Sequence, residues 1–182
     1  NIPLAELIRA VSDDDYRNLP AHMRQAAEKL SELLRLEPDP QLVGLLLDRA
    51  MYEELKDAVD AQKSPFLKGY FTSLVDLLNI KTYLRVRRAN RPKDFLQQAL
   101  LPQGNVDMNK LVQLVEPLEV LVDRLMFSPY AQVVEEGIQT YQKTDTLTRY
   151  EKLADDHLIK YAKQAKYVTF GPEPIIGYLL AK

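Results

Sequence analysis

The sequence predicts an all-α fold, and three observations predict it. Apolar residues recur at spacings of three and four along most of the chain, the period of an amphipathic helix. Proline repeatedly stands where such a run begins, with a serine or aspartate just before it in three cases, Asp39-Pro40, Ser64-Pro65 and Ser128-Pro129. Six glycines in 182 residues, with few alternating β-branched runs, leave little material for hairpins.

Taken in order, residues 3 to 11 (PLAELIRAV) form a helix that ends at the acidic turn Ser12, Asp13, Asp14 and Asp15, read as a solvated cap. Pro20 opens a helix whose buried stripe is Met23, Ala26, Ala27, Leu30, Leu33 and Leu34, closing before Pro38. Asp39 caps the next, with Leu42, Leu45, Leu46, Tyr52, Leu55 and Val59 on its inner face and Glu53, Asp57 and Asp60 facing outward, to about Ala61. A short loop, Gln62 to Ser64, then makes this helix and the following one an antiparallel hairpin.

That following helix is the spine of the molecule. Capped by Ser64 and begun at Pro65, it runs to about Ala89, roughly 37 Å. Its apolar residues Phe71, Leu74, Val75, Leu77, Leu78, Ile80, Tyr83, Leu84 and Val86 cover too much of the circumference for a surface helix, so neighbours pack on at least two sides. Lys68, Asp76 and Lys81 break it up too often for a membrane span. Asp76, Asn79 and Arg85 are expected to form a structural polar network that pins helix register, because an unpaired buried polar group costs about 1 to 3 kcal/mol.

After the spine, Arg91-Pro92 starts a short helix to about Leu100, and the loop LPQGNV marks the expected domain boundary. The division is therefore drawn as residues 1–101 and 102–182. Asp107 caps the next helix, Pro117 restarts it, and Val115, Leu118, Val122 and Leu125 lie on one face. Ser128-Pro129 begins another. Thr144 or Asp145 caps a helix to about Lys166, with Leu147, Tyr150, Ala154, Leu158, Tyr161 and Ala165 inward, and Pro172 and Pro174 introduce a last apolar helix.

The composition excludes several kinds of chemistry. A formal net charge of -2 argues against a general nucleic-acid binder. With no cysteine there is no thiol nucleophile, disulfide framework or Cys-ligated metal. Neither a Walker-type loop nor a GxGxxG after a strand is present, so nucleotide binding has no support, and no cofactor or small-molecule substrate is expected. Of the two histidines, His22 falls on the polar side of its helix, where solvent is the expected surrounding. His157 stands beside Asp155 and Asp156, but neighbouring helical residues point apart, so no orienting pair follows from adjacency. A small all-α hydrolase using His157 is the enzymatic rival; it fails if His157 is exposed, outside a pocket and beyond reach of any acid. Lys81, Arg85, Arg87, Arg88, Arg91 and Lys93 form the densest charge feature. Cations suit a helix C-terminus, but Arg87, Arg88, Arg91 and Lys93 also make a candidate interface, and a generic adaptor for an acidic partner is the alternative reading.

A faint internal repeat links Tyr52-Glu53-Glu54-Leu55 and Gly69-Tyr70 with Tyr150-Glu151-Lys152-Leu153 and Gly177-Tyr178. The segment YFTSLVDLLNIKTYLRVRR, with Asp76, Asn79 and Arg85, followed by LLPQG, resembles the C-subunit family of V/A-type ATPases, relatives of the d subunit of eukaryotic V-ATPases. FGPEPIIGYLLAK, carrying Gly171, Pro172, Glu173, Pro174 and Tyr178, resembles the segment near that family's C-terminus. The resemblance implies a funnel of three similar helix-pair modules, of which this chain holds the second and most of the third. An opening Asn1 in place of methionine agrees with a piece of a longer protein. What it further implies is a non-catalytic central-rotor subunit, peripheral on the cytoplasmic side of the cell membrane, whose partners are the central-shaft subunits and the membrane proteolipid ring.

Overall fold

Ser64 and Pro65 set the start of the longest helix in the way their chemistry dictates. The Ser64 hydroxyl accepts the backbone N–H of Leu67 at 3.4 Å, and Pro65 occupies a first-turn position whose N–H would have no partner. The structure is a computed structural model that describes residues 2–36, 40–106 and 117–182. The caps expected at Asp39 and Asp107, the stop before Pro38 and the place of Val115 in a stripe lie outside the described residues. Among those described, regular structure is helical: α1 (Leu4–Ser12), α2 (Ala21–Leu36), α3 (Pro40–Ala61), α4 (Pro65–Arg88), α5 (Lys93–Ala99), α6 (Leu118–Leu125), α7 (Ala131–Thr144), α8 (Thr148–Lys163), a 3-10 turn over Gln164–Tyr167, and α9 (Glu173–Leu180). No helix among the described residues is long and apolar enough to cross a membrane.

The chain divides into two compact units, Asn1–Lys63 and Ser64–Lys182. In the first, α2 packs on α3 over a thin core of Tyr16, Leu19, Ala26, Leu30 and Ala50. Leu55, expected on the inner face of α3, is 41% exposed. The helical period explains the difference, since five residues turn the side chain of Leu55 roughly 140° away from that of buried Ala50. Leu34 is exposed in the same way at the far end of α2. The acidic turn after α1 closes on itself: Asp14 takes a left-handed conformation (φ 52°) and accepts from Tyr16 Oη and Ser31 Oγ, both at 3.0 Å. Asp15 is chelated by Arg17, whose guanidinium holds the carboxyl down at about 2.

The second unit is built on α4, which is packed by α5 and α8; α7 lies on α6 and α8, and α9 on α8 and the 3-10 turn. Val75, Ile80 and Leu84 of α4 are wholly buried, as are Leu100, Val134 and Tyr150. Tyr150 satisfies its hydroxyl by donating to the Leu77 carbonyl at 2.9 Å, which fastens α8 to α4 from inside the core. Burial holds its hydroxyl pKa well above the ordinary range.

Two boundaries differ from expectation. Thr144 and Asp145 end α7 and do not cap α8. Asp145 adopts φ 52° and donates its N–H to the Tyr141 carbonyl at 2.8 Å, the left-handed stop that a short polar side chain tolerates. Thr144 Oγ1 turns back to the Thr140 carbonyl at 2.9 Å, so Leu147 becomes the residue before α8. The helix expected from Ser128-Pro129 begins two residues later, because the Ser128 hydroxyl donates to the Leu125 carbonyl and accepts the Tyr130 N–H, closing a turn.

Candidate functional site

The polar groups in the middle of α4 hold a loop. Asn79 is about 1% exposed and grips the backbone of Leu101 with both ends of its amide: Nδ2 donates to the Leu101 carbonyl and Oδ1 accepts the Leu101 N–H, each at 2.8 Å. This two-way bond fixes which end of the amide is which. One turn earlier, Asp76 is equally buried and accepts at both oxygens, from the Val106 N–H at 2.9 Å and from Tyr130 Oη at 2.8 Å. Burial first, then the neighbouring Asp76 carboxylate, push the Tyr130 hydroxyl far above the ordinary tyrosine pKa, so it remains a donor.

Three elements meet at Asp76: the spine, the loop at residues 100–106 and the residue preceding α7. Gly104 permits the close approach. A Cβ at that position would run into Asp76 Oδ1, an atom that two hydrogen bonds to its carboxylate already hold in place. The LPQGNV segment thus lies within the second compact unit as a strap across α4, with its own Leu101 and the preceding Leu100 buried.

Arg85 does not join this network. Nine residues separate it from Asp76, which on a helix is roughly 180° of rotation, whereas Asn79 lies roughly 60° away. Arg85 instead reaches Glu151 on α8, with Nη2 2.7 Å from Oε1, and its side chain is 57% exposed. The grouping of all three polar residues is corrected on this point, and the helical period supplies the reason.

At the end of α4 the candidate interface residues are exposed, and three of them also have work within the molecule. Arg87 Nη1 donates to Tyr83 Oη at 3.1 Å, Arg88 Nη1 donates to the Asp145 carbonyl at 3.3 Å, and the Arg91 guanidinium sits 5.5 Å from the Phe95 ring centroid. Lys93 is exposed at the first position of α5. In the C-terminal motif, Gly171 has φ 113°, a conformation that suits glycine, and Pro172 precedes the helix that Glu173 and Pro174 begin. Glu173 Oε1 accepts from Ser64 Oγ at 3.3 Å, joining the start of α9 to the cap of α4. Tyr178 is 67% exposed.

The histidines occupy unlike surroundings. His157 is half-buried on the wall of a cavity of about 530 Å³ that Ser73, Gln132, Lys160 and Gln164 also line. Its ring lies against Tyr130 at 5.4 Å between centroids, and burial, then nearby Lys160, lower its pKa below the usual 6.5. It is neither exposed nor outside a pocket. No described carboxylate is hydrogen-bonded to it, however, and neighbouring Asp156 is engaged by Lys152 at 2.8 Å, so nothing orients the imidazole as a general base. His22 is not simply solvated: it meets Glu53, Glu54 and Asp57 of α3. Among the described residues no group of three or more His, Asp or Glu side chains is arranged to hold a metal ion.

Sequence reasoning did not find Tyr130, Gly104, the Ser64–Glu173 link or the acids around His22. The only local signal was compositional, a Gly and Pro loop and an acidic helix, and it carried no pairing.

Comparison with known proteins adds an independent line. The sequence profile described as ATP synthase (C/AC39) subunit matches residues 1–182. The chain is similar to the C subunit of the A-type ATP synthase of Methanothermobacter thermautotrophicus, 26% identical over 184 residues that cover 97% of this chain and 46% of the relative. It is similar also to the C subunit of the A-type ATP synthase of Halobacterium salinarum, at 29% over 80% of this chain and 44% of the relative. A third relative is the C subunit of the V-type sodium ATPase of Enterococcus hirae, at 24% over 78% of this chain and 43% of the relative. The chain therefore spans less than half the length of these curated relatives. No solved structure matches it significantly.

Proposed function

The chain belongs to the ATP synthase (C/AC39) subunit family, and on that premise we propose that it is part of a non-catalytic central-rotor subunit of a V/A-type ATPase. In this reading it links the central shaft to the membrane proteolipid ring during ion transport and has no active site of its own. It is held peripherally on the cytoplasmic side of the membrane through the complex. The observation that carries the reading is the family match along the whole chain.

The geometry supports it through stiffness. A coupling element that yields stores rotation it should transmit, so buried, fully bonded joints between helices suit the task. Asp76 and Asn79 act as register pins, with Tyr130 joining Asp76 from just ahead of α7 and Tyr150 of α8 fastened to the Leu77 carbonyl. The division into modules at residues 1–101 and 102–182 is proposed as a division of repeats, distinct from the packing units. Arg87, Arg88, Arg91 and Lys93 remain the proposed contact surface for a partner protein.

The test is a pull-down of the full-length parent chain from its own membranes. Central-shaft and proteolipid subunits are expected in stoichiometric amount. Recovery of soluble acidic proteins in their place would overturn the rotor assignment in favour of an adaptor.

A further inference from the structure

Three carboxylates of α3 converge on the first turn of α2. Glu54 Oε1 accepts the backbone N–H of His22 at 2.7 Å, Asp57 Oδ2 lies 2.8 Å from ring Nε2, and Glu53 Oε2 lies 3.4 Å from Nδ1. The first-turn N–H groups of a helix lack intrahelical partners, and Pro20 ahead of α2 offers no side-chain acceptor, so Glu54 caps α2 from the neighbouring helix.

The imidazole is the part that can change. When protonated, both of its nitrogens are donors and each faces a carboxylate. When neutral, one nitrogen presents a lone pair to a carboxylate oxygen, and the three carboxylates lose the positive charge that stood between them. We propose that His22 is a proton-operated clasp: protonated, it fastens the start of α2 to α3, and on losing its proton it lets this end of the helix pair open. The apolar seam behind it is thin, with Tyr16, Leu19, Ala26 and Leu30 buried and Met23 half-buried, so the polar clasp adds to the hold at this end.

The balance of fields favours the protonated ring. The positive end of the α2 dipole and partial burial oppose a cation here. The groups facing the ring from α3, the helix packed on α2, are Asp57, Glu53 and Glu54, all acidic. On α2 itself the positions three and four ahead are the uncharged Gln25 and Ala26. The hydrogen bond to Asp57 dominates and the charges of Glu53 and Glu54 add to it, raising the His22 pKa above its usual 6.5. With the folded value raised, the stabilisation is complete below the ordinary histidine range and is lost as pH climbs through the folded value.

The chain has only two histidines, which makes the test direct. A proton NMR titration of the intact chain shows two ring signals, assigned with His22→Gln. His22 should titrate above 6.5 and His157 below it. Native-state hydrogen exchange, corrected for intrinsic rate, should then show α2 losing protection several-fold between about pH 6 and pH 8.5 while α8 does not, with His22→Gln abolishing that pH dependence. If His22→Gln fails to fold, Asp57→Asn in its place should bring the His22 midpoint down. A His22 midpoint at or below 6.5, or α2 protection with the same pH profile in wild type and His22→Gln, overturns the clasp.

Discussion

The middle of α4 and its C-terminal end both carry polar side chains out of an apolar helix, yet they hold the molecule in unlike ways. Asp76 and Asn79 are nearly sealed from water and bond to a strap and to the facing tyrosine. Arg85, Arg87 and Arg88 lie in solvent; Arg85 and Arg88 reach across to the partly exposed Glu151 and the exposed Asp145, while Arg87 folds back on Tyr83 of its own helix. The difference teaches that angular position on the helix, more than charge or residue type, decides what a polar group contributes. In the sealed set, breaking one bond strands its partner, whereas on the surface each freed group rehydrates.

The sharpest way to break this comparison is Asp76→Leu. It removes the acceptor for both Tyr130 Oη and the Val106 N–H and breaks both bonds that tie the strap and the start of α7 to α4. The expected loss is about 2–5 kcal/mol in urea unfolding, larger than for any single change at the basic end. Asp76→Asn, which preserves shape and one acceptor, should cost about 1–2 kcal/mol. A loss near zero for Asp76→Leu would mean that the strap is not held through this carboxylate.

Gly104→Ala sharpens the same side of the comparison. The added methyl meets Asp76 Oδ1, and because the carboxylate is bonded at both oxygens it has nowhere inexpensive to move. The strap must shift, at about 1–3 kcal/mol. In an Asp76→Ala background the obstruction is gone, so the same substitution should cost clearly less, and a double-mutant cycle reads the coupling directly. Strict additivity would place the two residues in separate joints.

These cases also show where sequence reading stops. Helix existence was legible because its signals are local: the three-and-four period and Ser64-Pro65 need no distant partner. Asp145 shows the limit, since a short polar residue suits both a left-handed stop and a helix start, and only the position of the Tyr141 carbonyl decides. Asp76 and Asn79 stood out as polar residues in an apolar stretch, but two of their partners, Leu101 and Val106, act through backbone atoms that leave no mark in residue identity. Tyr130 lies 54 residues further on, with no local clue to its pairing. Arg85 is different: the helical period alone places it opposite Asp76, and the rotation sufficed to part them. The acids of α3 were legible as an outward face, but that His22 meets them depends on how α2 and α3 pack.

The smallest effects belong to the basic end. Arg85→Ala removes an ion pair whose two side chains are 57% and 37% exposed, so solvent screening leaves about 0–1 kcal/mol. Arg88→Ala loses a 3.3 Å bond to the Asp145 carbonyl, a group that water can reach, and should cost about 0–0.5 kcal/mol. Salt distinguishes these from the sealed set, because raising ionic strength to about 1 M should erase what remains of the Arg85 effect and leave the Asp76→Leu loss intact. If Arg88→Ala instead destabilises more than Asp76→Leu, then the C-terminal end of α4, and not the strap at its middle, is the joint that holds the second unit together.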